Sequence, residues 1–166
     1  MKKSPTELMK EVKLLQGKKD DLLLFEQRNW TTSYLKGETP QENSYDYDAT
    51  REQIHELDET IRSFKLLLAK ANVEAIVEPF QMSICEALIY LAQLSQKKAR
   101  LEMMGKIPNL ERRNAMISNH DIIRIELTKA CFDVIEVQKE LEALNRTIVS
   151  LQIAIDRTNL THMIEF

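Results

Sequence analysis

Residues Val134–Thr158 read VIEVQKELEALNRTIVSLQIAIDRT, and this stretch decides the fold class. Its apolar residues recur at alternating spacings of three and four, at Val134, Val137, Leu141, Leu144, Ile148, Leu151 and Ile155. This period places all of these side chains on one face of an α-helix. Asp133 and Glu136 resemble a capping box, so we predict a helix over about 134–158. Because such an apolar seam is unfavourable in water, it packs against another helix, of this chain or of a second copy.

Two more helices are marked by their first residues. Ser4-Pro5-Thr6-Glu7 combines an N-cap serine, proline at the first helical position and glutamate at the third, which predicts a helix over about 5–28. Ser83 and Glu86 repeat the capping pattern. The apolar residues that follow them predict a helix over about 84–104.

A fourth helix is indicated by the same period as the last one. Its apolar residues again step by three and four, at Ile54, Leu57, Ile61, Phe64, Leu68 and Ala71. With Asp48 as the N-cap, we predict a helix over about 49–71.

The two longer connections lack the helical period. Trp30–Leu35 is rich in β-prone residues, turn residues follow it, and Ser44–Tyr47 suits a return strand, so we predict a hairpin-like insert over 30–47. In the other connection, apolar Ile123, Ile125 and Leu127 alternate with polar residues. That alternation predicts a short strand within a loop and strand region over 106–132.

Composition agrees with a helical fold. Of 166 residues, 30% are charged, 43% hydrophobic and 6% aromatic, with three glycines and four prolines, which favours long helices over a β-sandwich or barrel. We predict a mainly α fold: an antiparallel helical bundle or coiled coil of four long helices, with one or two small β-hairpins in the connections. Residues 1–166 would form a single domain. The seams of the second and fourth helices exceed the need of one small bundle, so we expect a homo-oligomer.

Charge and the chain's apolar pattern bear on partners and location. The formal charge is -3 and no sustained basic block occurs, which argues against general nucleic-acid binding. The first residues lead into a charged helix rather than an apolar signal core, and no apolar run reaches membrane-spanning length. We therefore expect a cytoplasmic protein with no membrane partner. Cys85 and Cys131 lie in apolar settings, so we predict that both are reduced core residues.

Three stretches resemble a known group of proteins: YDYDATR at Tyr45–Arg51, EALIYLAQL at Glu86–Leu94 and LQIAIDRTN at Leu151–Asn159. They are similar to a family of small, mainly helical, uncharacterised bacterial proteins that is common in Firmicutes. The resemblance covers most of the chain from Arg28 on. This sequence departs from the family around Ile117–Phe132, where the family pattern is richer in tyrosine. The resemblance implies the helical fold, and no known activity of the family can be transferred to this chain.

Catalytic and metal-binding patterns are weak. Glu52 and His55 match the Glu-x-x-His element of di-iron bundles, but that chemistry needs the element on two helices, and here it occurs once. With Ile54 facing the core, both side chains turn away from it, so an exposed pair is favoured over a metal site. The sequence has no Gly-x-Ser-x-Gly and no glycine-rich phosphate loop. We predict no enzyme activity, no catalytic residues, no metal and no cofactor.

Aromatic and basic residues gather around the predicted insert. Such a set can stack a planar ring and pair with a negative charge, or it can cover the end of a bundle or form a subunit interface. The candidate ligand-binding residues are Arg28, Trp30, Tyr34, Tyr45, Tyr47 and Arg51.

Two functions remain open. The first is a non-enzymatic homo-oligomeric binding protein that sequesters a small anionic, nucleotide-like ligand in pockets between subunits. It requires Arg51 and the tyrosines of the insert to converge on one cavity. The alternative is a helical protein–protein interaction or adaptor protein without a small-molecule ligand. It requires an apolar helix face that stays exposed.

Overall fold

Four long helices make up most of the protein. The computed structural model describes residues 2–39, 45–115 and 124–165. The helices are α1 (Pro5–Asn29), α2 (Tyr47–Glu74), α3 (Ile84–Gly105) and α4 (Val134–Thr161). Each end lies within three residues of the predicted one, and the mainly α fold class is confirmed.

Short antiparallel strands accompany the helices. They are β1 (Lys2–Lys3), β2 (Ile76–Val77), β3 (Met82–Ser83), β4 (Leu110–Ala115), β5 (Arg124–Lys129) and β6 (Ile164–Glu165). The pairs β2–β3 and β4–β5 form small hairpins in the connections between helices, as the fold class predicts. The sequence pattern does not predict a hairpin at the position of β2–β3. The pair β1–β6 joins the two ends of the chain, with Lys2 opposite Glu165.

Helix starts follow the capping residues. Ser4 Oγ accepts from Glu7 N at 3.3 Å, and Ser4 N donates to Glu7 Oε2 at 2.8 Å, which is the predicted capping box. Ser83 Oγ accepts from Glu86 N at 3.2 Å at the start of α3. Asp133 Oδ1 accepts from the backbone N–H of the second residue of α4, at 2.8 Å. These side chains satisfy donors that the first helical turn leaves unpaired.

The insert differs from the predicted hairpin. Residues 31–39 and 45–46 contain no strand. The residue that caps α2 is Asp46, not Asp48: its side chain accepts from Ala49 N at 3.0 Å. The helix therefore begins at Tyr47, a residue that the sequence pattern places in the return strand. Ser44, the first residue of that strand, lies outside the described residues.

The connection between α3 and α4 contains one strand that the sequence indicated and one that it did not. Alternation predicted a strand at 123–127, and β5 occupies Arg124–Lys129. Its partner β4 pairs with it from Leu110 opposite Lys129 to Ala115 opposite Arg124. Because β4 reads LERRNA, with apolar residues only at its ends, it carries no alternating signal.

The chain divides into two compact units. The first comprises Met1–Ile76 and Arg157–Phe166. In it α1 and α2 run antiparallel, and buried Leu8, Ala71 and Ile164 form a core against which Phe64, Leu67 and Leu68 pack. The prediction that residues 1–166 form one domain stays a prediction.

The second unit comprises Val77–Asp156 and uses the seam of α4. Val137, Leu144, Ile148, Leu151 and Ile155 are buried, and the remaining two seam residues are half-buried. The buried residues of α3 are Ile84, Ala87, Leu94 and Leu101. Lys97 Nζ on α3 lies 2.6 Å from Glu140 Oε1 on α4. The predicted seam is therefore the buried face of this helix.

The prediction that both cysteines are core residues is wrong. Both are free thiols, but both are exposed, whereas we predicted core residues. Cys85 follows buried Ile84 on α3 and is turned away from it by about 100°. Cys131 lies between β5 and α4, outside any regular element.

Candidate functional site

A buried carboxylate lies at the centre of the predicted site. Glu26 is on α1, and its side chain is only 4% exposed. Its Oε1 accepts a hydrogen bond from Tyr45 Oη at 3.0 Å and lies 3.0 Å from Arg51 Nε. Two of the predicted site residues, one just before α2 and one within it, therefore meet on one acidic residue of α1. Because a buried carboxylate needs such partners, this network closes one end of the α1–α2 pair.

Tyr45 is held as a hydrogen-bond donor. Removal from water raises the pKa of its phenol above the ordinary value of 10.0, and the hydrogen bond to Glu26 and the charge of Glu26 raise it further. The ring also contacts Phe25, with centroids 6.2 Å apart and planes at 59°. The phenol therefore stays neutral at physiological pH and donates to the carboxylate.

Arg51 and Tyr47 form a stacked pair at the surface. The guanidinium carbon of Arg51 lies 5.2 Å from the centroid of the Tyr47 ring, a cation–π contact. The Arg51 side chain is 57% exposed and Tyr47 is 57% exposed. Because Nε is the atom beside Glu26, the two terminal nitrogens of the fork can reach a second acceptor. Glu26 and Tyr47 together fix the direction of this guanidinium.

The remaining predicted residues lie at the end of α1 and beyond it. Arg28 is an exposed residue of the last turn of α1. Trp30 is the C-cap of this helix and is 62% exposed. Since it follows Glu26 by four residues in helical conformation, it lies on the same side of α1 as Glu26. Tyr34 is 59% exposed in the segment after the helix. Among the described residues, the structure therefore joins Tyr45, Tyr47 and Arg51 through Glu26 and the cation–π contact, and it does not join Arg28, Trp30 or Tyr34 to them.

The turn after Trp30 has the predicted chemistry. Glu38 N donates to Leu35 O at 3.0 Å, and Gly37 has φ of 99°. A positive φ costs glycine little because it has no Cβ. All the residues from Trp30 to Thr39 are exposed, so this segment presents its aromatic side chains to solvent.

The sequence did not single out Glu26. It follows Leu22 by four residues and so continues the apolar face of α1, on which Lys19 also lies. Lys19 Nζ is 2.6 Å from Asp58 Oδ1 on α2, an ion pair of the same kind. One signal in the sequence could have indicated these pairs. The apolar face of α1 contains an acidic and a basic residue, and α2 carries residues of opposite charge.

Glu52 and the histidines do not form a metal-binding cluster among the described residues. Glu52 is exposed, and His55 Nε2 lies 3.5 Å from Glu59 Oε1 of the next turn. His162 lies just after α4, and His120 is outside the described residues. Within 2–39, 45–115 and 124–165, no group of three or more His, Cys, Asp or Glu residues could hold a metal ion.

Two further observations concern the chain as a whole. Among the helices described, none combines the length and the apolar character that crossing a bilayer requires. No family model matches the sequence, and no curated protein matches it.

A solved structure has a similar fold. It is a functionally unknown conserved protein from Corynebacterium diphtheriae, with a TM-score of 0.59 and 16% sequence identity. The match covers 99% of this chain and 100% of that chain. At this identity the likeness shows the fold alone. It agrees with a group of helical bacterial proteins whose function is not established.

Proposed function

We propose that this is a non-enzymatic, homo-oligomeric binding protein that holds a small, planar, anionic ligand against Arg51 and Tyr47. One observation carries the proposal: a guanidinium fixed by a buried carboxylate and an aromatic ring, yet more than half exposed. The setting would be the bacterial cytoplasm, in an uncharacterised family of the Firmicute type.

The chemistry of this pair favours a ligand with a ring and a negative charge. A guanidinium donates two parallel hydrogen bonds to a phosphate or carboxylate. The exposed ring of Tyr47 offers a face on which a base-like ring can stack. Trp30, one turn beyond Glu26 on α1, is a second exposed aromatic side chain at this end of α1. A nucleotide combines both ligand features.

Glu26 limits how strongly a bare anion would bind. Its negative charge offsets that of Arg51, so the pair has no net charge to attract small inorganic ions. Because the fork is already oriented, however, little side-chain entropy is lost when a ligand binds. The ligand should therefore need its ring as well as its charge. ATP should bind more tightly than inorganic phosphate.

The single tryptophan gives a direct assay. Trp30 is the only tryptophan of the chain, so its fluorescence reports ligands at this surface. Titration with ATP should change this fluorescence to saturation, and Arg51→Ala should weaken binding by about tenfold or more, the loss of a charge-assisted bidentate contact. Native mass spectrometry of the protein purified from cells would reveal a co-purified ligand and the oligomer mass together.

A matched control is available on the same helix. Arg62 is exposed and follows Arg51 by three helical turns, so it lies on nearly the same face of α2. Arg62→Ala should leave the ATP titration unchanged. Equal effects of the two substitutions, or an unchanged titration in Arg51→Ala, would contradict the assignment.

A second candidate is a helical adaptor protein, and exposed apolar side chains favour it. On α3, Ile89 is 58% exposed and Met103 is 71% exposed. Apolar residues left in water on a long helix are typical of protein-binding faces. An assembly that carries no ligand after purification, and binds no ATP, would favour this alternative.

A further inference from the structure

The helix α4 has a second stripe on the face opposite its buried seam. Its members step by four and three residues, and we call them the outer stripe: Ile135, Lys139, Glu142, Arg146, Val149 and Ile153. Because two residues correspond to a rotation of about 200°, Glu142 points away from buried Leu144. The stripe spans about 27 Å at 1.5 Å per residue.

All of the outer stripe is accessible to solvent. Ile135 is 58% exposed, Val149 is 53% exposed and Ile153 is 63% exposed. An open depression of about 490 Å³ runs along part of this face, and Arg146, Val149 and Ile153 line it with Asn145 and Ser150. Three large apolar side chains in water on one helix face are unfavourable unless something covers them.

The order of residues in the stripe is self-complementary. We propose that the outer stripe binds the outer stripe of a second copy of this chain, with the two α4 helices antiparallel about a two-fold axis. In this arrangement Ile135 faces the partner's Ile153, and Glu142 faces the partner's Arg146. The symmetry repeats each contact, so the interface has two isoleucine pairs and two ion pairs. Lys139 faces the partner's Val149, over which its methylene stem can lie.

Only one register gives these matches. Sliding one helix by seven residues in one direction sets Glu142 against the partner's Ile153. The opposite slide sets Ile135 against the partner's Arg146. The first slide leaves Glu142 against an isoleucine without its counter-charge. The second slide pairs Lys139 with the partner's Glu142, but it sets Arg146 against an isoleucine and removes Val149 and Ile153 from the interface. The charges and the isoleucines together therefore favour the proposed register, as polar and apolar residues do in coiled coils.

Glu142 and Arg146 can exchange their ion pair within one helix for ion pairs with a second copy. In the isolated chain, Arg146 Nη2 is 3.8 Å from Glu142 Oε2, with side chains 83% and 73% exposed. An exposed pair of this kind stabilises a helix little, so its ions can turn to a partner at small cost. The interface rests on the self-association in the proposed function and not on ligand binding at Arg51, which lies on another helix.

Two charge reversals test the pairing. Glu142→Arg makes both positions positive, and Arg146→Glu makes both negative. Each variant alone should self-associate roughly tenfold or more weakly than wild type, because like charges face each other twice. An equimolar mixture should form a one-to-one heterodimer, in which every Arg meets a Glu. Sedimentation equilibrium, with the 19.4 kDa chain mass as reference, gives each association constant.

The control is a charge reversal in a similar ion pair. Lys98 Nζ and Glu102 Oε1 on α3 are also 3.8 Å apart and four residues apart. Glu102→Arg should leave the association constant unchanged. A monomeric wild-type chain would overturn both the interface and the proposed self-association. An assembly that keeps its mass in both single variants, or single variants that fail to recover on mixing, would overturn this interface alone.

Discussion

Glu26 and Arg51 join α1 to α2 through an ion pair whose two ends differ in burial: the carboxylate side chain is 4% exposed and the guanidinium side chain 57%. Lys19 and Asp58 form a second pair, seven residues earlier on α1 and seven later on α2. That opposite spacing is what antiparallel helices require. Because a slide of seven residues in either direction would break both pairs, we infer that they contribute to the alignment of the two helices.

Removing the buried carboxylate should destabilise the fold. Glu26→Ala removes the carboxylate that accepts from Tyr45 and pairs with Arg51, and it opens a gap at the end of the α1–α2 pair. We expect a loss of about 1–3 kcal/mol in the free energy of unfolding, measured by urea titration with circular dichroism. Glu52→Ala, at an exposed position on α2, should change it by no more than about 0.5 kcal/mol. Equal losses would mean that the burial of Glu26 contributes nothing.

Tyr45 should make stability depend on pH in the alkaline range. Its folded pKa is raised above 10.0, so the folded state retains a proton that the unfolded state releases. This contribution is complete below pH 10.0 and is lost as the pH rises through the folded pKa. Tyr45→Phe should be less stable than wild type at neutral pH, and the difference should shrink above pH 10.0. A difference that stays constant across this range would contradict the prediction.

The capping box of α1 should make the free energy of unfolding depend on pH in the acidic range. The hydrogen bond from Ser4 N lowers the pKa of the Glu7 carboxyl, and the Ser4 hydroxyl lowers it further. The folded pKa lies below 4.5, so the contribution of Glu7 is present above pH 4.5 and is lost as the pH falls through the folded value. Ser4→Ala should cost about 1 kcal/mol at neutral pH. In Glu7→Gln, stability should fall less steeply than in wild type as the pH drops below 4.5. Thermal unfolding at several pH values measures this difference.

Local signals in the sequence predicted most of the fold. The seam of α4 and the capping residues Ser4 and Ser83 act within a few positions, so a pattern of apolar spacing and side-chain type is sufficient to find them. The strand pairing of Lys2–Lys3 with Ile164–Glu165 brings together the two ends of the chain. Two residues carry no alternating pattern, and nothing local indicates such a distant partner.

The candidate site was predicted only in part, for a similar reason. Tyr45, Tyr47 and Arg51 stood out because they are close in sequence and chemically distinctive. Glu26, the acceptor of Tyr45 and Arg51, has no distinctive pattern in the sequence, since burial of a charge depends on a partner from another helix. The exposure of Cys85 was missed because apolar neighbours in sequence lie on a different side of the helix.

Whether the chain unfolds as one domain can be measured with two core substitutions. Leu8, in the first unit, and Leu151, in the second, are both fully buried. Leu8→Ala and Leu151→Ala should each cost about 2–5 kcal/mol, because each removes buried apolar surface and leaves a cavity. Gln152→Ala, at an exposed neighbouring position on α4, should be nearly neutral.

The deciding measurement follows the fluorescence of Trp30, which lies in the first unit, beside the circular dichroism of all the helices. If residues 1–166 form a single cooperative domain, Leu151→Ala should shift the Trp30 fluorescence transition as far as the helical circular dichroism transition. Leu8→Ala should likewise shift both signals together. A Trp30 transition that stays at the wild-type midpoint in Leu151→Ala would contradict the single-domain prediction, because the first unit would then unfold without the second.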